Sequence, residues 1–201
     1  MSYRSARSAL LAAAVVIGVA FSGILGYQSL VGSTSAASTI HLLRGDHHGV
    51  LGEADGVVPD GVTVFDDEYP AVANLDPDLL GALRRAATDA AGDGVEIYVN
   101  SGWRSPAYQE QLLQEAVSKY GSEEGAARWV ATPTTSLHVS GDAVDIGPSD
   151  ATAWLSEHGA EYGLCQIYDN EPWHYELRPE AIEHGCPTRY ADPTQDPRLL
   201  P

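Results

Sequence analysis

Two histidines and two carboxylates stand in a pattern that can bind a metal and move a proton. They are His138 and Asp145 within Ser136-Leu137-His138-Val139-Ser140-Gly141-Asp142-Ala143-Val144-Asp145, and Glu171 and His174 within Glu171-Pro172-Trp173-His174. Two imidazoles and one carboxylate form the usual three-ligand shell of a catalytic zinc, leaving a fourth position for water whose pKa falls toward roughly 7. His138, Asp145 and His174 are the candidate ligands. Glu171 lies in the turn before His174, where it can face the ion without coordinating it, the place for a general base. Taken singly, each has a plain structural reading: a strand histidine, a turn carboxylate, a surface histidine. The set, with Arg104 on the separate Ser101-Gly102-Trp103-Arg104 turn, is read as a catalytic constellation.

The elements around these residues must bring them together. Side chains in a strand alternate faces, so His138 and Asp145, at an odd separation, cannot share one straight strand and one site. A turn at Ser140-Gly141-Asp142 is expected to fold the chain back. Each ligand then sits on one arm with apolar neighbours behind it, Leu137 and Val139 for His138, Val144 and Ile146 for Asp145. By the same alternation Trp173, Tyr175 and Leu177 are expected on a buried face and His174 on the opposite one.

Elsewhere, Asp76-Pro77 signals a helix start, followed by Leu79, Leu80, Leu83, Ala86, Ala87 and Ala90 at helical spacing and a stop at Gly92 to Gly94. Val95, Ile97 and Val99 alternate with polar residues as in a half-buried strand. Ser105-Pro106 opens a helix closed by Gly121, and a shorter one fits Glu123 to Val130. Asp150 is expected to cap a helix running toward Gly159. Leu164 to Tyr168 and Trp173 to Leu177 read as short strands joined by the turn Asp169-Asn170-Glu171-Pro172. Early helices and late short strands predict an α+β domain with a small, mainly antiparallel sheet and flanking helices. His158 and His184, at helix ends, are read as structural, and Trp103 and Trp129 as core aromatics.

Arg4 and Arg7 precede an apolar run from Ala9 to Ile24 that continues weakly to Val31, as in an export signal or a membrane anchor. Residues 1–37 are assigned to that segment, with Ser35, Ala36 and Ala37 as the alternative processing site. Residues 38–74 are assigned to a flexible tether and domain entry, 75–190 to the catalytic domain and 191–201 to a C-terminal tail. His41, His47 and His48 fall in the tether and are read as solvated. An extracytoplasmic location follows, with contact to the cytoplasmic membrane through the N-terminal segment. There Cys165 and Cys186, the two cysteines of the chain, are expected to pair as a disulfide. The net charge of -17 over 201 residues, with no basic stripe, excludes nucleic acid as a partner. A monomer is expected.

Ser-Gly-Trp-Arg-Ser at Ser101 to Ser105, Ser136 to Gly147 and Glu-Pro-Trp-His-Tyr-Glu at Glu171 to Glu176 together resemble the signatures of VanY-type D-alanyl-D-alanine carboxypeptidases. These are relatives of the VanX dipeptidases and, more distantly, of lysostaphin and the hedgehog amino-terminal domain. The resemblance covers roughly Leu75 to Tyr190. It implies a hedgehog/D,D-peptidase-like fold, Zn2+ on His138, Asp145 and His174, Glu171 as catalytic base and Arg104 as an electrophilic partner of the substrate. It further implies substrate contacts from Arg104, Gln109 and Ser136, and peptidoglycan stem peptides ending in D-Ala-D-Ala as substrate. The same residue set can serve an L,D-carboxypeptidase, a dipeptidase or an endopeptidase, because specificity lies in the loops around the cleft. Two readings from other classes stay in view: a non-haem iron oxygenase, disfavoured by export and ligand spacing, and a non-catalytic zinc-stabilised wall-binding module, disfavoured by the Glu171 and Arg104 pair.

Overall fold

The computed structural model describes residues 50–199. The N-terminal apolar segment, the processing site and His41, His47 and His48 lie outside the described residues. A short helix α1, Pro70–Ala73, precedes α2, Pro77–Gly92, whose N-terminus is held as the sequence requires. Asp76 accepts from the backbone N–H of Asp78 at 2.9 Å and of Leu79 at 3.0 Å, satisfying two of the orphan donors of the first turn. Leu79, Leu83, Ala86 and Ala90 of α2 are fully buried.

The chain then alternates strands and helices: β1 Tyr98–Ser101, α3 Pro106–Tyr120, α4 Glu123–Ala127, α5 Leu137–Ser140, β2 Ala143–Gly147 and α6 Ser149–His158. It continues through β3 Leu164–Gln166, β4 His174–Leu177 and α7 Ala181–His184. The four strands form one sheet in the order β1-β2-β4-β3, every pair antiparallel. One face packs on α2 and α6: Val99, Val144, Ile146, Leu164 and Tyr175 join Leu79, Leu83 and Leu155 in a single core. Burying each large aliphatic side chain contributes about 1.5–3 kcal/mol. The other face of β2 and β4 carries polar residues. Asp145 and His174 are direct cross-strand partners, next to the core-facing pair Val144 and Tyr175. The expected α+β class and antiparallel sheet are thus present.

Several local expectations need correction. His138 is not on a strand arm: Leu137–Ser140 is one helical turn, closed by Gly141 with φ +85. A Cβ on Gly141 would lie 2.4 Å from the Asn74 carbonyl oxygen, so positive φ and close packing both demand glycine there. Helix α6 begins at Ser149, with Asp150 in its first turn instead of at the cap. Core packing also starts before Leu75, since Val62, Val64 and Val72 are buried.

The C-terminal segment is no free tail. Asp192, Pro193 and Asp196 are buried, and Tyr190 bridges Tyr168. The expected disulfide is formed between Cys165 and Cys186, with Cα atoms 5.6 Å apart, and ties this segment's root to β3.

Candidate metal centre and active site

The three candidate ligands come from α5, β2 and β4. His138 Nδ1 lies 2.8 Å from the Gly102 carbonyl oxygen, which can only accept. The proton is therefore on Nδ1, and Nε2 is left with a lone pair 3.4 Å from Asp145 Oδ1. Gly102 reaches that position because its turn is pressed against α1: a Cβ there would be 2.0 Å from the Ala71 carbonyl oxygen. His174 uses the opposite nitrogen. Its Nε2 faces Glu176 Oε1 at 3.2 Å, and Nδ1 turns inward, 3.3 Å from Asp145 Oδ1.

Bonds of about 2.0–2.1 Å to a tetrahedral zinc set neighbouring donor atoms about 3.3 Å apart, so this donor set matches the ion. All three donors fall within 4.8 Å of one another. Asp145 Oδ1, His174 Nδ1 and Glu171 Oε1 are buried without a hydrogen-bond partner among the described residues. Leaving such atoms unsatisfied costs about 1–3 kcal/mol each, and a cation at the shared point removes that cost for the first two. The donor set therefore fits Zn2+.

The electrostatics agree. Burial opposes charge on Asp145, yet the flanking imidazoles and Arg104 hold its carboxyl well below the usual range. Burial also lowers His138, and the Arg104 charge adds to that effect. For His174 burial acts in the same direction, but the adjacent carboxylates of Asp145 and Glu176 outweigh it and raise it to about 9. Without metal, the Arg104 guanidinium and a proton on His174 together offset the charge of Asp145. Glu171 is 7% exposed, with Oε2 3.9 Å from His174 Nδ1. Burial pushes its carboxyl up to about 7, with a further rise from Asp145 and opposing pulls from His174 and Arg104. A carboxylate poised near neutrality can both accept and return a proton.

Arg104 is closely engaged. Nε donates to Ser101 Oγ at 2.7 Å, Nη1 to Gln109 Oε1 at 3.1 Å and Nη2 to Asp145 Oδ2 at 2.7 Å. The guanidinium thus fixes the outer oxygen of Asp145 and turns Oδ1 inward. Of its five N–H groups two have no partner among the described residues and can meet a ligand. Gln109 is 1% exposed, so it is no solvated helix residue; its Nε2 donates to the Ala131 carbonyl at 2.8 Å. Ser136, buried just before α5, has no side-chain hydrogen bond among the described residues and borders the same cavity.

That cavity has a volume of about 220 Å³ and holds all seven predicted site residues: Arg104, Gln109, Ser136, His138, Asp145, Glu171 and His174. Trp129 and Trp173, each 38% exposed, stand in its wall instead of the core positions expected for them. Trp173 precedes β4, so strand alternation does not govern it. Tyr168, Pro193 and Leu199 also line the cavity, and sequence reasoning missed them. It likewise gave no role to Glu176, although Glu176 stands two residues beyond His174 on the same strand face, a signal that alternation makes readable.

Comparison with known proteins agrees with this geometry. The family model described as VanY, D-alanyl-D-alanine carboxypeptidase, matches residues 72–180. A D-alanyl-D-alanine carboxypeptidase of Enterococcus faecalis is 32% identical, the match covering 43% of this chain and 41% of that protein, so the chain spans about two fifths of that relative's length. The vancomycin-resistance D,D-pentapeptidase VanY from a VanB-type cassette, solved as a mutant in complex with Zn(II), aligns at TM-score 0.51 and 29% identity over 55% of this chain and 75% of its own. The LD-carboxypeptidase LdcB aligns at TM-score 0.51 and 25% identity over 64% and 71%. With buried donors, a poised carboxylate and a family match that spans the sheet and its ligands, the chain belongs to the VanY D-alanyl-D-alanine carboxypeptidase family.

Proposed function

We propose that this chain is a zinc-dependent D-alanyl-D-alanine carboxypeptidase that removes the terminal D-alanine from peptidoglycan stem peptides, acting outside the cytoplasmic membrane to which its N-terminal segment leads. The observation that carries this reading is the juxtaposition in one small cavity of three metal-ready donors, His138 Nε2, Asp145 Oδ1 and His174 Nδ1, with the unpartnered Glu171 Oε1. A VanY relative solved with D-alanyl-D-alanine supports the substrate class.

Zinc held by His138, Asp145 and His174 would supply a Lewis acid that polarises the scissile carbonyl and acidifies water. Glu171 takes the proton from the attacking water at its free Oε1 and later returns it to the nitrogen of the departing D-alanine. Arg104, kept still by Ser101, Gln109 and Asp145, offers its two free N–H groups to the oxygen on which negative charge develops. Its rigidity means that little reorganisation is needed as the charge appears. Ser136 offers an unengaged hydroxyl to the peptide. Trp129, Trp173 and Leu199 give the cavity an apolar wall, and its volume of about 220 Å³ suits a small terminal residue.

The likeness to an LD-carboxypeptidase supports a second reading in which the same residues act on a stem already shortened to a tetrapeptide. Mass spectrometry of defined pentapeptide and tetrapeptide stems, incubated with the zinc-loaded chain and with its Glu171→Gln variant, separates the two. Loss of one D-alanine from the pentapeptide by the wild type alone supports the proposal. Cleavage of the tetrapeptide alone moves the enzyme to the L,D class, and cleavage of neither refutes both.

A further inference from the structure

The family match ends at residue 180, yet the chain beyond it returns to the cavity. Asp192 and Asp196 are 3% and 0% exposed, a cost no solvated tail would carry without partners. Asp196 accepts from the Tyr168 hydroxyl at 2.9 Å and from Arg198 Nε at 2.9 Å. Arg198, with 37% of its side chain exposed, reaches inward to Glu176, which is 1% exposed. Its Nη1 meets Oε2 at 2.6 Å and its Nη2 meets Oε1 at 3.3 Å.

Oε1 is the oxygen that receives the His174 Nε2 proton. Arg178 also bonds Glu176, but only at Oε2. Arg198 is therefore the cation that touches the oxygen facing the imidazole. A second route ends on the same ring: Tyr168, whose hydroxyl Asp196 holds, packs with its ring centroid 5.1 Å from that of His174. Neither route touches His138 or Asp145.

We infer that Arg198 is a positioning residue for the metal centre, acting through Glu176 to keep His174 protonated on Nε2 with Nδ1 free to ligate. The inference rests on the reading of His138, Asp145 and His174 as the ligand set. Without Arg198, Glu176 keeps a partner on Oε2 alone and can rotate about it. The imidazole then loses the acceptor that fixes its tautomer, and a ring protonated on Nδ1 cannot bind the ion there.

The test is zinc affinity of the full chain, measured by competition with a chelator for wild type, R198M, R198K, R178M and H174A, with near-UV circular dichroism confirming that each is folded. Loss of a partner behind a metal-binding histidine typically weakens affinity about 10–100-fold, the result expected for R198M. R198K should fall between R198M and wild type, because one ammonium cannot span both oxygens, and R178M should stay closer to wild type than R198K. A purely structural role would lower the melting temperature and leave zinc affinity unchanged. Folded R198M with wild-type zinc affinity overturns the inference. Should R198M not fold, R198K with wild-type affinity overturns it equally. If wild type and H174A bind zinc alike, the ligand assignment itself fails; if they differ while R198M matches wild type, the positioning role alone fails.

Discussion

Replacing Glu171 with glutamine should disable the enzyme and, in the metal-free protein, make the variant progressively more stable relative to wild type as pH rises. The reason is burial. In water a glutamate ionises near 4.5, but the enclosed Glu171 carboxyl is pushed up to about 7, so the folded state holds its proton longer than the unfolded chain does. Between those values the folded protein binds more protons, and stability must fall as pH rises. A gap of about 2.5 units at roughly 1.4 kcal/mol each gives about 3 kcal/mol lost between pH 4.5 and 8.5. Glutamine does not ionise. Any fixed cost of its buried amide cancels when the two proteins are compared across pH. The stability difference, variant minus wild type, should therefore rise by about 3 kcal/mol over that span, roughly 6–12 °C in melting temperature for a domain of this size. Paired thermal melts at the two pH values in excess chelator measure it. Turnover with zinc should drop about 10²- to 10⁴-fold with zinc affinity nearly unchanged, as expected for a base that is not a ligand. A pH-independent stability difference, or a variant that loses zinc as H174A does, would refute the reasoning.

Other consequences follow from the same packing. Arg104→Met strips Asp145 Oδ2 of its partner inside a pair only 12% and 11% exposed, so the metal-free protein should lose about 3 kcal/mol and the zinc-loaded protein less, read from melts with and without zinc. Glu176 is affected by burial, which opposes its charge, but its bonds to His174 and Arg198 prevail and hold it down to about 2. Its contribution, of order 2–3 kcal/mol, is complete above the unfolded value of 4.5 and is lost as pH falls toward about 2; acid unfolding followed by circular dichroism should show that limb, and Glu176→Gln should flatten it. Reducing the Cys165–Cys186 bond, which closes a span of 21 residues, should cost about 3 kcal/mol, and amide exchange should rise first in residues 187–199.

The donor cluster of His138, Asp145 and His174 was legible in the sequence largely because two of its three residues obey local rules. Asp145 sits between core-facing Val144 and Ile146, and His174 precedes core-facing Tyr175 on its strand, so strand alternation assigns both to the opposite face. The Asp76-Pro77 and Ser105-Pro106 starts were equally plain, since a capping side chain bonds only a few residues ahead. His138 misled because a four-residue turn is too short to reveal a helical period, and Leu137 and Val139 beside it imitate a strand. What sequence could not supply was long-range pairing. Nothing local tells that Asp196 meets Tyr168, that Arg198 meets Glu176, or that the carboxylate of Asp145 and the guanidinium of Arg104 share a bond. A segment rich in Asp, Pro and Arg has the composition of a solvated tail, and only its distant partners bury it. Trp129, set by its stack on Tyr120 at 5.8 Å, was misplaced for a related reason: size suggested the core, but position made it part of the cavity wall.

The central claim is that His138, Asp145 and His174 hold the zinc while Glu171 stands beside it unbound. Anomalous diffraction at the zinc edge from crystals of the metal-loaded chain tests it directly. The account predicts one peak about 2.0–2.1 Å from His138 Nε2, Asp145 Oδ1 and His174 Nδ1, with Glu171 outside bonding distance. A peak elsewhere, or one bonded to Glu171 in place of one of the three, would contradict it.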